Sequence, residues 1–440
     1  MFLRVGIRWY TQHILFGWLA LGYASSAHAE SYWLGRSSQV WNPLAVRQVC
    51  RISRDGVSTS SFPLTHNPSC VRAPLPNGTD TIMEDFCVYT NSFFSNGRGI
   101  SLITTPEVFS DMTAEVYYDE ESRVNNEDHL YVERQTAGRG TGLFAQRSFI
   151  AGETYMVKTP VLLIARAALE VVPREDGTTL LRQAVNQLPV YTQELLMNLA
   201  KSKGSDEIND MVQTNSMRLD FAGVKYLGVI PEAARVNHVC RQNSYYRFHD
   251  FSMTLEVFAI RNVDEGEEFS FSYGLSDQPH DIRQQAIKAN WEFTCKCALC
   301  NAPKADIEAS DKRLARIAEL KYMLPTEPNK GPHLIVALPE LIDLMTEEGL
   351  IVDRPQYEEI LAYAWNAYGD DQRAKEWAGR ARMGWEIIAG KGSWEVKRMK
   401  NLEEHPKQHQ SWNMWEEYWH EDDDHNDAGH DHDHDHDHHH

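Results

Sequence analysis

Basic stripes are missing from this chain. Lys and Arg number 43 against 63 Asp and Glu in 440 residues, a formal charge of −20. Such a balance repels a phosphate backbone, so direct nucleic-acid binding is not expected and a basic peptide is the more natural partner. Long apolar runs are also scarce. After the N-terminal stretch, no segment is long and apolar enough to cross a bilayer. Cysteine is sparse, with seven in all and none between Cys87 and Cys240, which excludes a cysteine-based zinc finger in the middle of the chain. What is present is ample: the apolar content suffices to bury the cores of two or three domains.

The N-terminus reads as a secretory signal. Arg4 and Arg8 form a positive n-region, Ile14 to Ala24 a short apolar core, and Ala27-His-Ala29 an A-x-A cleavage site, giving an expected mature start at Glu30 and export to the secretory pathway. The alternatives are an uncleaved anchor or, if the signal is unused, a cytoplasmic or nuclear protein. In an oxidising lumen Cys50, Cys70 and Cys87 would give one disulfide and one thiol, with the pairing open. Asn77-Gly-Thr79 matches a glycosylation acceptor.

The remaining cysteines form a second group. Cys295-Lys-Cys-Ala-Leu-Cys300 packs three sulfurs into six residues. A structural zinc needs four ligands in a tetrahedron, and Cys240, in Arg235-Val-Asn-His-Val-Cys-Arg-Gln-Asn243, is the obvious fourth. Cys240, Cys295, Cys297 and Cys300 are therefore the expected metal set. Two disulfides are the rival arrangement, although Cys295 and Cys297 are awkward to bridge. Upstream lies Gly138-Arg-Gly-Thr-Gly142-Leu-Phe-Ala145, and between the cysteine elements lies Gly266-Glu-Glu-Phe-Ser-Phe-Ser-Tyr-Gly274.

In this order and spacing the four segments resemble the SET-domain protein-lysine methyltransferases, with C-x-C-x-x-C as the post-SET element. The resemblance spans roughly residues 128 to 302 and is nearest to the SMYD-like branch without its zinc finger. It implies an α+β fold of small β-sheets with a helical insert, S-adenosylmethionine and zinc as cofactors, and a lysine-containing protein or peptide as substrate. Gly138, Arg139 and Gly140 match the turn whose backbone approaches the methionine part of the cofactor, where a Cβ would obstruct. Asn237 and His238 match its contacting pair. Tyr273 matches the catalytic tyrosine, placed by the methyl group and also counted with the cofactor contacts. Phe293 matches the ring against adenine, and Phe271 a substrate-channel position. Val239, Gln242 and Ser272 depart from the more usual serine, proline and aspartate, which leaves the substrate class open.

In chain order, residues 30–127 read as a strand-and-loop N-terminal extension rich in Ser, Asn, Pro and Gly. Short strands follow in a SET region over 128–275. They include the run Tyr155–Ile164, with tight turns expected at Gly138, Gly140, Gly142 and Gly152. A helical insert is expected over about 165–220, interrupted at Pro189. Strand patterns return at Thr254–Ile260 and Glu268–Tyr273. The zinc element occupies 281–303, opened by a helix near Asp281–Ala289. A helical region runs over 304–414, where Gly369–Ala381 resembles a tetratricopeptide unit or one pair of a plain bundle. The tail, 415–440, alternates Asp and His; it reads as a solvated, disordered face or a loose metal binder. Two further functions stay open on sequence alone: a catalytically silent SET fold that binds a peptide, and a secreted metal-sequestering protein using the tail.

Overall fold

The computed structural model describes residues 62–77, 80–113, 129–136, 138–324 and 328–415. The signal segment, Cys50 and the Asp/His tail after Trp415 lie outside them. The described residues fall into two compact units, one of residues 62–311 with 387–389 and the other of 312–386 with 390–415. None of their helices is long and apolar enough to cross a membrane.

The first unit is organised by a six-stranded sheet. Its strands are β1 (Ser69–Asn77), β2 (Asp80–Asn91), β3 (Ile100–Thr104), β7 (Leu162–Ala165), β8 (Met217–Phe221) and β9 (Val224–Val229), in the order β1-β2-β3-β7-β9-β8. Leu102 pairs with Leu163 and Ile103 with Ile164 in parallel. The sheet therefore crosses the boundary expected at residue 127, and the region upstream of that boundary builds the sheet rather than resting on it. Cys70 and Cys87 stand directly opposite in β1 and β2 and form a disulfide.

Successive side chains of a strand point to opposite faces, and this sheet separates two cores accordingly. Leu102 and Leu163 face one core with Leu143, Tyr155, Val257 and Phe269. Ile103, Leu162 and Ile164 face the other, which the insert fills. Helix α1 (Pro106–Thr113) follows β3, and the insert comprises α2 (Arg166–Val171), α3 (Arg174–Asn186), α4 (Val190–Met197) and α5 (Glu207–Asn215). Leu180, Leu181, Ala184, Val185 and Leu188 recur at helical spacing and bury against the sheet. Pro189 takes the N-cap position of α4. It cannot extend α3, since it lacks the N–H that a further turn would need.

The run Tyr155–Ile164 splits into β6 (Thr154–Lys158) and β7 at Thr159-Pro160, which sends the chain from one sheet to another. Strand β6 joins β11 (Ser244–His249) and β12 (Thr254–Ala259) in a three-stranded sheet with β12 in the middle. Across it Arg247 lies opposite Glu256 and clamps its carboxylate through Nε and Nη2 at 2.6 and 2.7 Å. His249 Nε2 (2.8 Å) and the Thr154 hydroxyl add two more contacts. Burial alone would raise the Glu256 pKa, but these partners outweigh it and hold it well below the ordinary carboxylate range. A carboxylate depressed in the folded state contributes stability above its unfolded pKa of about 4.3 and loses it as pH falls through the folded value. Glu256→Gln is accordingly expected to cost about 2 kcal/mol at pH 7. The gap between variant and parent in denaturant midpoint should close progressively below pH 4; a gap constant from pH 7 to 3 would rule the contribution out.

In the second unit, the residues of α7 (Lys304–Met323) from Lys312 onward pack with α8 (Leu334–Glu347) and α9 (Arg354–Ala367) through Leu314, Ile317, Leu338, Leu341, Ile342 and Leu361. Helices α10 (Asp371–Ile388) and α11 (Trp394–Glu404) follow, and Gly369 at φ +86° ends α9. Buried Glu359 receives hydrogen bonds from Arg398 (2.7 Å) and Trp385 Nε1 (2.8 Å).

Candidate active site

Three sequence motifs meet because one strand-like segment pairs with two others. Strands β4 (Tyr131–Thr136) and β5 (Gly140–Ala145) form the hairpin that carries the glycine-rich motif. Along its edge, Phe269 N–H donates to Leu143 O (2.8 Å) and Ala145 N–H to Glu267 O (2.9 Å). The same segment continues as β13 (Ser270–Phe271), which pairs in parallel with β10 (Asn237–His238). Only these two residues of the expected strand Glu268–Tyr273 have regular strand geometry.

The glycines divide into two kinds. Gly138 and Gly140 have φ of +72° and +69°, a left-handed conformation that glycine adopts without steric cost, and no protein atom lies near the position of a Cβ at either. Gly142, expected at a turn, lies within β5. A Cβ there would come within 2.4 Å of Glu268 Oε1 and 2.8 Å of Asn237 Nδ2. Close approach thus explains Gly142, and positive φ explains the other two. Gly142→Ala is expected to push Glu268 and Asn237 apart, costing roughly 1–3 kcal/mol; a melting temperature within a degree of the parent's would contradict this.

Glu268 is the residue that sequence reasoning missed. Its Oε1 accepts from Asn237 Nδ2 (2.8 Å) and its Oε2 from Arg139 Nη2 (2.5 Å), so one carboxylate joins the hairpin turn to β10. The neighbouring Glu267 binds Asn243 Nδ2 (3.1 Å), whose Oδ1 accepts the Ser270 N–H (2.8 Å). Both glutamates of the Gly-Glu-Glu motif therefore grip asparagines at the two ends of the Asn237–Asn243 segment.

His238 is buried and both its ring nitrogens are engaged. Nδ1 accepts the backbone N–H of Tyr273 (3.2 Å), so the ring proton resides on Nε2, which faces Cys240 Sγ at 3.5 Å. Burial, with the nearby Arg283 charge against that of Cys297, pushes its pKa down to about 4. The ring of His238 is therefore committed to contacts within the protein.

The Tyr273 ring lies 5.0 Å from the His238 ring and 4.7 Å from Trp291, centre to centre. Its hydroxyl donates to Val236 O (3.2 Å). Burial, reinforced by the Glu268 carboxylate and opposed by Arg139, raises its pKa above the ordinary phenol value, so it remains a neutral donor. Trp291 ends α6 (His280–Trp291) and is fixed by Nε1 donating to Thr214 O (3.1 Å), which brings the insert to the tyrosine. Two residues on, Phe293 packs beside Cys240 and Cys295 with its ring 6.2 Å from His238. Phe271 is buried in the main core, edge-on to Tyr246 at 5.7 Å.

The four sulfurs of Cys240, Cys295, Cys297 and Cys300 lie within 4.8 Å of one another. Cys240 Sγ is 3.9 Å from that of Cys295 and 3.4 Å from that of Cys300. Tetrahedral zinc with Zn–S bonds of about 2.3 Å separates its sulfurs by about 3.8 Å, whereas a disulfide needs roughly 2.0 Å. The donor set thus fits zinc and not the paired-disulfide arrangement.

Comparison with known proteins agrees with this geometry. Residues 140–274 match the SET domain. Among similar proteins, histone-lysine N-methyltransferase set5 of Schizosaccharomyces pombe is 22% identical over 64% of this chain and 86% of its own. Histone-lysine N-methyltransferase SET5 of Meyerozyma guilliermondii is 35% identical over 15% of this chain and 14% of its own. N-lysine methyltransferase SMYD2 of Sus scrofa is 25% identical over 40% and 44%. The chain therefore spans less than half the length of several of the relatives it matches.

Proposed function

We propose that this chain, whose residues 140–274 match the SET domain, is a protein-lysine methyltransferase that transfers a methyl group from S-adenosylmethionine to a lysine of a protein substrate. The observation that carries the proposal is the convergence of the glycine hairpin, Asn237, His238, Trp291 and Phe293 around Tyr273. When bound, S-adenosylmethionine supplies an electrophilic methyl group. The lysine nitrogen lone pair forms the new C–N bond, the C–S bond breaks with its electrons left on sulfur, and the amine releases one proton to solvent.

This chain's residues would position the reactants and control charge. Asn237 Oδ1 and the Glu268 carboxylate are acceptors suited to the ammonium of the amino-acid half. The backbone at Gly138 and Gly140 suits close approach, and the Phe293 ring suits stacking on a purine. Tyr273, neutral and hydrogen-bonded to Val236, is the group proposed to orient the lysine amine. Lysine has an ordinary pKa of about 10.4 and reacts only as the neutral amine, so the desolvated aromatic pair of Tyr273 and Trp291 favours the reactive form. Export with cleavage after Ala29 belongs to the same reading, and N-terminal sequencing of the mature chain tests it; a start at Met1 rejects it.

Calorimetric titration with S-adenosylmethionine, then incubation of the zinc-loaded protein with the labelled compound and a lysine-rich protein library, tests the activity. Binding followed by label on lysine supports it. Failure to bind with zinc in place rejects it.

A further inference from the structure

Arg283 is fully buried. Charged side chains are seldom found in that state unless paired, yet no carboxylate of the described residues forms an ion pair with it. Its Nη1 donates to Gln278 O (2.5 Å), its Nε has no hydrogen-bond partner, and its Nη2 points at Cys300 Sγ, 4.0 Å away. Cys300 is the sulfur within reach of its guanidinium, and the neighbouring Asp311 already accepts the His280 N–H at Oδ1 (2.8 Å). Next to it on α6, Gln284 holds Cys295 by both backbone groups, donating from Nε2 to Cys295 O (2.9 Å) and accepting the Cys295 N–H at Oε1 (3.0 Å).

We propose that Arg283 is the built-in countercharge of the four-sulfur centre: its guanidinium, held against Cys300, offsets the negative charge that four thiolates leave around a divalent ion. Four thiolates and one dication carry two net negative charges, and a half-buried site solvates them poorly. One buried guanidinium halves that excess, and the thiolates supply the arginine with the counter-ion its surroundings otherwise lack. Gln284 performs the neutral half of the task by fixing the backbone of the ligand loop. Arg283 is thus a positioning residue that acts through the ligands. The inference rests on the four-thiolate metal reading and is independent of methyl transfer.

The test measures zinc rather than turnover. Metal per chain is determined by mass spectrometry, and the rate of zinc transfer to a chromogenic chelator is followed for the parent, Arg283→Met, Arg283→Lys and Arg283→Met combined with Cys300→His. Loss of an outer partner of a metal ligand typically weakens metal binding by about 10–100-fold. Arg283→Met is expected to release zinc at least 10-fold faster, and Arg283→Lys, which keeps the charge, to stay within about threefold of the parent. Cys300→His retains a ligand while removing one negative charge, so it should recover most of the loss in the double variant. Should Arg283→Met fail to fold, the lysine variant carries the test alone: release within about threefold of the parent supports the proposal, and release more than about tenfold faster overturns it. The proposal is overturned if folded Arg283→Met holds zinc within twofold of the parent, if Arg283→Lys loses zinc as readily as the methionine variant, or if histidine at 300 brings no recovery. A parent that binds no zinc removes the metal reading itself, and this inference with it.

Discussion

Tyr273→Phe is expected to lower the rate of methyl transfer by about 10²–10³-fold while changing S-adenosylmethionine affinity little. The substitution removes one oxygen and keeps the ring, so the contacts with His238 and Trp291 survive. The backbone N–H that Tyr273 gives to His238 Nδ1 is untouched as well. What disappears is the hydroxyl, whose raised pKa keeps it a donor throughout the neutral range. Val236 O loses its partner, a structural cost of about 1 kcal/mol, too small to mimic the expected kinetic loss by unfolding. Single-turnover measurement with labelled S-adenosylmethionine separates the effects: a slowed transfer step with unchanged binding marks an orienting hydroxyl. A variant that transfers at more than a third of the parent rate would leave Tyr273 a core residue and move the chemistry elsewhere.

The site was legible in the sequence wherever its chemistry is local. Metal ligation needs sulfurs at short spacing, so Cys295, Cys297 and Cys300 declared themselves and called for Cys240, now within sulfur-contact distance of Cys295 and Cys300. The break at Pro189 and the helix leading to the cysteine element also follow from local rules. Pairing between distant segments left no such mark. Nothing near Ser101 announces that it lies beside Leu162, so the N-terminal region looked like an appendage. The β8–β9 hairpin is hidden in the sequence because Ala222-Gly223, both at positive φ, is not one of the asparagine or aspartate turns that flag a hairpin. The alternation of Met217, Leu219 and Phe221 was the available signal. In the sequence Glu268 is only part of the Gly-Glu-Glu motif, and nothing marks Trp291. Their roles depend on which strand lies beside β13 and on where α6 ends, and both are settled by tertiary packing.

Removing the metal is expected to abolish cofactor binding as well as catalysis. The segment after α6 has no strand, and its core is small, with Cys240, Ile287 and Cys295 buried and Phe293 and Leu299 partly so. So few apolar contacts cannot offset roughly 1–2 kcal/mol of backbone entropy for each residue that is ordered. In small metal-organised domains structural zinc contributes apparent binding energies of about 10–16 kcal/mol. Without it Phe293 loses its footing and one wall of the site goes with it. Cys240→Ser should therefore lose about 3–5 kcal/mol, lower the melting temperature by roughly 10 °C, and reduce S-adenosylmethionine affinity at least tenfold. Reagents separate this centre from the only disulfide of the described residues. A thiol reductant opens Cys70–Cys87 and spares zinc thiolates, so cofactor binding should survive it; a strong chelator spares the disulfide and should abolish binding. Chelated protein that keeps its melting temperature and cofactor affinity would mean that the four sulfurs do not hold the site together.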